Sequence, residues 1–172
     1  MISIICPSPK GKDIAFKLQE SLNATLYIKE KKEDINDDRH YKSKYSSDMA
    51  GETYRYSDDF KLKDVTEKAF QNSDKIIFIS STGIAVRAVS SFIMSKDKDP
   101  GVVVVDLSSK YAVSLLSGHL GGGNELTHEV SRILGCQSII TTATDTMNIT
   151  APDIIAKKHG LIIDDLKKAK HI

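Results

Sequence analysis

The chain has 172 residues, with 24 Lys+Arg against 23 Asp+Glu and a formal charge of +1. That length suits one domain with a real core, and 40% apolar with 27% charged residues is globular usage that excludes global disorder. The near-zero charge supplies no long-range basic field, which argues against a dedicated nucleic-acid or membrane-surface protein.

In chain order, Ile2–Cys6 is the first of four Ile/Val-rich runs that barely alternate, with 76–79, 102–105 and 138–140. Strands buried on both faces read this way, so they predict a parallel sheet covered by helices. A helix is predicted over 12–21, with Ile14, Leu18 and Ala15 inward, and a weaker strand over 24–28. Residues 29–63 hold 18 of the 47 charges, and the part from 29 to 58 reads as a solvated loop or insert. Tyr41, Tyr45, Tyr54 and Tyr56 lie in it, four of the six tyrosines. A helix over 59–71 follows, with Phe60, Val65, Ala69 and Phe70 apolar.

After the strand 76–79, Ser80-Ser81-Thr82-Gly83 opens a helix whose apolar side is Ile84, Ala85, Ala88, Val89, Phe92 and Ile93, with Arg87 opposite. The run Tyr111–Leu116 follows 102–105 through the turn-like Ser108-Ser109, which predicts a hairpin. A helix over 122–134 carries Leu126, Val130, Ile133 and Leu134 at helical spacing. The fold class that results is α/β, an open, mostly parallel sheet with helices on both faces, a three-layer sandwich. Cys6 and Cys136 have no CxxC spacing, and Cys136, just after Gly135, reads as a buried thiol. No signal peptide and no membrane-length apolar run is visible, and no HExxH or similar ligand spacing points to a metal, so a cytoplasmic protein without its own metal is expected.

Residues 100–150 hold only six charges, and the polar loops there and just before are the candidate sites. Three loops are read as lying beyond carboxyl ends of strands, where an open sheet binds ligands. At Ser80-Ser81-Thr82-Gly83, Ser81 or Thr82 can cap the helix, its N–H groups favour an anion, and Arg87 can lean back over the same mouth. In Ser117-Gly118-His119-Leu120-Gly121-Gly122-Gly123-Asn124-Glu125, four glycines in six residues permit close backbone approach to a ligand, but the loop is neither a P-loop nor GxGxxG. His119 sits within it, able to change charge near neutral pH. Asn124 and Glu125 occupy the first helical turn there, and Glu125 also suits that position simply as a favourable charge. In Thr141-Thr142-Ala143-Thr144-Asp145, hydroxyls and a carboxylate can orient a ligand.

Taken together, Ser81-Thr82-Gly83-Ile84-Ala85-Val86-Arg87-Ala88-Val89, Val102-Val103-Val104-Val105-Asp106, Leu115-Leu116-Ser117-Gly118-His119-Leu120-Gly121-Gly122-Gly123-Asn124-Glu125 and Thr141-Thr142-Ala143-Thr144-Asp145 form an ordered set. This set resembles the N-terminal half of the CbiG family, the cobalt-precorrin-5A hydrolases of anaerobic cobalamin biosynthesis. Gly123 stands where that family usually has Ala. The resemblance implies an N-terminal α/β domain over 1–145 and the start of a central segment over 146–172, with the family's C-terminal domain absent. It implies hydrolytic opening of the ring-A lactone of a cobalt-corrinoid with release of acetaldehyde. The alternative is a corrinoid-binding domain whose catalysis needs the missing part.

By the same resemblance, His119 would be the general base or acid, with Asp145 as the alternative base. Gly118, Gly121, Gly122 and Gly123 would line the substrate, N–H groups of the last three facing the oxyanion. Thr82, Gly83, Arg87, Asn124, Glu125, Thr141 and Thr142 would complete the substrate-binding set, Arg87 suiting peripheral carboxylates. Cobalt would arrive inside the substrate, so no cofactor is expected. The expected partner is the corrinoid, with no nucleic acid and no membrane, and a homodimer left open.

Overall fold

The computed structural model describes residues 1–35 and 51–142. Seven strands form one sheet: β1 (Ile2–Cys6), β2 (Thr25–Lys29), β3 (Thr53–Tyr56), β4 (Lys75–Ile79), β5 (Gly101–Val105), β6 (Tyr111–Leu116) and β7 (Gln137–Ile139). Among the described residues five α-helices join them: α1 (Lys12–Leu22), the short α2 (Lys32–Ile35), α3 (Leu62–Asn72), α4 (Thr82–Val89) and α5 (Gly123–Leu134). The strand order is β3-β2-β1-β4-β5-β6-β7. The first five strands in that order are parallel, β6 is antiparallel to β5, and β7 is parallel to β6. The chain therefore ends β1 to β5 at one rim of the sheet, and β6 and β7 at the opposite rim.

The strands barely alternate because both faces are covered. Ile4, Ile77, Val103 and Val105 point to one side, where α1 contributes Phe16 and Leu18 and α5 contributes Leu126 and Val130. Ile5, Ile76, Phe78, Val102 and Val104 point to the other, where α3 contributes Val65 and Ala69 and α4 contributes Ala85, Ala88 and Val89. These are the two outer layers of the expected sandwich. Each fully buried Ile, Leu, Val or Phe is worth about 1.5–3 kcal/mol, so the sheet and its two helix pairs carry the stability.

Three expectations need correction. The segment 29–58 is not all solvated loop: Thr53–Tyr56 pairs with β2 in parallel register, Tyr27 opposite Tyr54 and Ile28 opposite Arg55. Tyrosine and threonine favour a pleated edge, and the Tyr27 and Tyr54 rings stack at 5.1 Å. Tyr41 and Tyr45 lie outside the described residues. Second, the apolar side of α4 is narrower than read. Only Ala85, Ala88 and Val89 are buried on it, while Ile84 is 41% exposed. Phe92 and Ile93 lie beyond its last residue, Phe92 against the Phe70 ring at 5.7 Å. Third, Cys6 rather than Cys136 is the fully buried thiol. Cys6 faces the core from β1, whereas Cys136 occupies the turn into the edge strand.

Candidate functional site

Strand direction sorts the candidate residues into two groups. At the rim where β1 and β4 end side by side, the chain leaves β1 for α1 on one face and eventually leaves β4 for α4 on the other. An open sheet has its ligand crevice at such a switch point. The β1 loop supplies Ser8, Lys10 and a single 3-10 turn over Pro9–Gly11. The β4 loop supplies Ser80, 3% exposed, whose hydroxyl donates to the Ser81 carbonyl at 3.1 Å.

Ser81 is the N-cap of α4, but its hydroxyl makes no capping hydrogen bond, against the expectation of a side-chain cap by Ser81 or Thr82. Instead the Ile84 and Ala85 N–H groups donate to the Ser81 carbonyl. Arg87 folds back one turn, its Nη1 donating to the Gly83 carbonyl at 3.0 Å. Thr82, Gly83 and Arg87 are thus brought together on an exposed first turn, as the lean of helical side chains requires.

The strand order from β3 to β5 is that of dinucleotide-binding domains. The acidic residue that such domains use on a ribose, at the end of β2, would here be Glu30. Its side chain is fully buried and engaged by Lys12 Nζ at 2.6 Å and Arg55 Nε at 3.5 Å. Glu30 therefore ties α1 and β3 to β2 and presents no open face to a ligand. Sequence reading missed this cluster, because Glu30 and Arg55 lie in a segment read as solvated and Lys12 is distant from both in the chain, in the helix predicted over 12–21.

The glycine-rich loop is at the opposite rim, because β6 carries the chain back across the sheet. Six residues at about 3.3 Å each separate the two rims by roughly 17–20 Å. Ser117, at φ 50°, turns the chain out of β6. The loop then closes on itself: Gly122 N–H donates to the His119 carbonyl at 3.0 Å and Gly123 N–H to the Ser117 carbonyl at 3.2 Å. Asn124 N–H donates to the Gly118 carbonyl at 2.9 Å, so the first turn of α5 is capped by its own loop. The N–H groups of Gly122 and Gly123 are thereby engaged within the loop rather than presented to an oxyanion.

Gly121 fits beneath β5. A Cβ at Gly101 would stand 2.4 Å from the Gly121 carbonyl oxygen and 2.7 Å from the Gly123 nitrogen. The glycines here serve close packing. Asn124 is 8% exposed; its Oδ1 accepts from the Ser114 hydroxyl at 2.6 Å and its Nδ2 donates to Thr142 Oγ1 at 3.0 Å. Glu125 pairs with Lys75 across 3.2 Å. This rim unites Gly118, half-buried His119, Gly121–Gly123, Asn124, Glu125 and, through Thr142, the end of β7 with its neighbour Thr141. Arg87 does not join them. Asp145 lies outside the described residues.

Two residues that sequence reading passed over frame the first rim. Asp106, at the end of β5, accepts from the Ser108, Lys110 and Tyr111 N–H groups at 2.9, 2.9 and 2.7 Å, and from the Ser108 hydroxyl. Burial alone would raise its carboxyl, but these hydrogen bonds outweigh that and hold it below the ordinary range. Tyr111, held by this clamp at the start of β6, is 46% exposed. The Asp-x-Ser turn signal was present in the sequence at Asp106-Leu107-Ser108.

Among the described residues no helix is long and apolar enough to cross a membrane, and no group of three or more His, Cys, Asp or Glu could hold a metal ion.

Strand order and rims define the class, a doubly wound open α/β domain with a reversed terminal strand pair. Residues 64–145 match the family model described as Cobalamin synthesis G N-terminal. The chain is 33% identical over 168 residues to a protein from Salmonella typhimurium named cobalt-precorrin-5A hydrolase, covering 98% of this chain and 43% of that one. It is 39% identical over 93 residues to a cobalt-precorrin-5A hydrolase from Priestia megaterium, covering 54% of this chain and 25% of that one. The crystal structure of a cobalamin biosynthesis protein G homolog from Sulfolobus solfataricus aligns with a TM-score of 0.54 at 24% identity, over 93% of this chain and 45% of that one. Residues 64–145 are a CbiG N-terminal region, and the similarity to the Salmonella typhimurium relative runs over 98% of the chain. The chain spans less than half the length of the curated relatives it matches.

Proposed function

We propose that this chain contributes the N-terminal part of a cobalt-precorrin-5A hydrolase. The reaction adds water to the ring-A lactone of a cobalt-corrinoid and releases acetaldehyde in cobalamin biosynthesis. The observation that carries this reading is 33% identity sustained over 98% of the chain to a protein named for that activity. The geometry supports it at the β1/β4 rim. There the first turn of α4 and the returning Arg87 guanidinium suit the peripheral carboxylates of such a substrate. Cobalt travels with the substrate, so the chain's own residues need supply only binding and proton transfer; His119, at the opposite rim, is the base only if the substrate lies there, and Asp145 is the alternative base.

The test is to incubate the chain with cobalt-precorrin-5A and assay acetaldehyde, for wild type, Arg87→Ala and His119→Ala. We expect acetaldehyde from wild type and a raised KM in Arg87→Ala. No acetaldehyde from the chain, under conditions in which a full-length relative releases it, overturns the reading for this chain. An unchanged KM in Arg87→Ala, with turnover lost in His119→Ala, would instead move the substrate to the glycine-loop rim.

A further inference from the structure

Among the described residues, the two faces of the sheet are not equally covered. On the first face α5 packs against β5, β6 and β7. On the second, α3 and α4 pack on each other and on the cluster built from β1, β2, β4 and β5. Beyond them Val113 of β6 and Ile139 of β7 are only half-buried, and a cavity of about 440 Å³ lies over them. Its floor is regular. Val104, Val113 and Ile139 stand directly opposite one another on three adjacent strands. Val104 is buried at the inner edge, so the open aliphatic floor is Val113 and Ile139, one strand interval of about 4.8 Å with the breadth of their side chains.

The rim of this cavity is polar and aromatic. Ser80, Ser81 and Thr82 border it at the start of α4, and Asp106 with Tyr111 at the hairpin. Tyr111 projects on the same face as Val113, two residues along β6, and its ring is exposed while its backbone is fixed by Asp106. A flat apolar floor does not suit a free carboxylate or phosphate. It suits the face of a planar ring system whose polar groups lie at its edge, near the hydroxyls.

We propose that this strip, which none of the described residues covers, seats the corrinoid macrocycle face-down, and that Tyr111 is the residue that positions it. This rests on the function proposed above and places the substrate on β5–β7 rather than against the glycine-rich loop. The peripheral carboxylates then reach Ser81, Thr82 and Arg87, while Tyr111 packs against the ring edge.

The test is anaerobic equilibrium dialysis of the chain with cob(II)yrinic acid, a corrinoid with free carboxylates and one face clear of an axial ligand, read by its visible absorbance. Tyr111→Ala is expected to weaken binding on the order of tenfold, the loss of one aromatic contact surface. Tyr111→Phe should bind as wild type does, since the ring rather than the hydroxyl is invoked. Citrate at matched carboxylate concentration should fail to displace the corrinoid. Unchanged binding in Tyr111→Ala, or displacement by citrate, overturns the proposal. Concentration-dependent dimerisation in sedimentation, lost in Tyr111→Ala, would overturn it by giving the strip to a second copy. Should wild type release acetaldehyde from cobalt-precorrin-5A yet bind no cobyrinic acid, the seat is wrong and the function stands. Should it do neither, both fall.

Discussion

Gly101→Ala tests whether the glycine-rich loop is a packed structure or a ligand cradle. The added methyl would meet the Gly121 carbonyl at 2.4 Å and the Gly123 nitrogen at 2.7 Å. Both are backbone atoms, so no side chain can swing aside. Nor can the loop easily retreat, because Gly122 N–H, Gly123 N–H and Asn124 N–H tie it to His119, Ser117 and Gly118. Overpacking costs about 1–3 kcal/mol, and an immovable backbone obstacle puts this site near roughly 3 kcal/mol. For a chain of this size that is a fall in Tm of about 6–12 °C. Gly135→Ala is the control: Gly135 has φ +70° and nothing within 4 Å of an added Cβ. Only the left-handed backbone is strained there, at about 1–2 kcal/mol. Urea and thermal unfolding of both variants, with amide exchange at residues 118–124, measure the difference. If Gly101→Ala costs no more than Gly135→Ala, the loop is yielding and the packing explanation fails.

Two further outcomes follow from the titratable groups. The Asp106 carboxyl is held low in the fold, so its contribution is complete above an unfolded value of about 4 and is lost as pH falls through the folded value. Asp106→Asn should therefore lower stability by roughly 1 kcal/mol at neutral pH, a figure reduced for solvent screening, and should match wild type in strong acid. Equal urea midpoints at neutral pH would refute the clamp. Burial pushes the Cys6 thiol up to about 11, so it stays protonated and unreactive, whereas Cys136 is partly exposed. Ellman's reagent at about pH 8 should titrate one thiol in the native chain and two in denaturant, and rapid reaction of two native thiols would contradict the burial of Cys6.

The central strands were legible because burial on both faces leaves a run such as Val102–Val103–Val104–Val105 with no polar alternation. Tyr111–Leu116 matched to the residue, and the hairpin with β5 was correctly read. What the hairpin entails was not. Reversing β6 sends the loops that follow β6 and β7 to the other rim, so His119 and Thr142 part from Arg87, although their loops look alike in sequence. Strand direction is a tertiary property, and loop composition does not encode it. β3 was hidden for a related reason: Thr53-Tyr54-Arg55-Tyr56 is too short and polar to read as a strand until Arg55 meets the buried Glu30. The inward stripe of α4 was overdrawn because Ile84 and Ile93 are apolar by identity, whereas burial depends on the helix phase and on where the helix stops.

The reversed pair β6–β7 also insulates one part of the molecule from another. Residues more than about 7–10 Å apart without shared partners respond to substitution independently, and the two rims are roughly twice that apart. Sequence drift among Ser81, Thr82 and Arg87 can thus retune what one rim grips without disturbing the Asn124–Thr142 latch that fastens the other. In a sheet with every strand parallel, the loops that leave the strands would share one rim, and substitutions in them would lie close enough to couple.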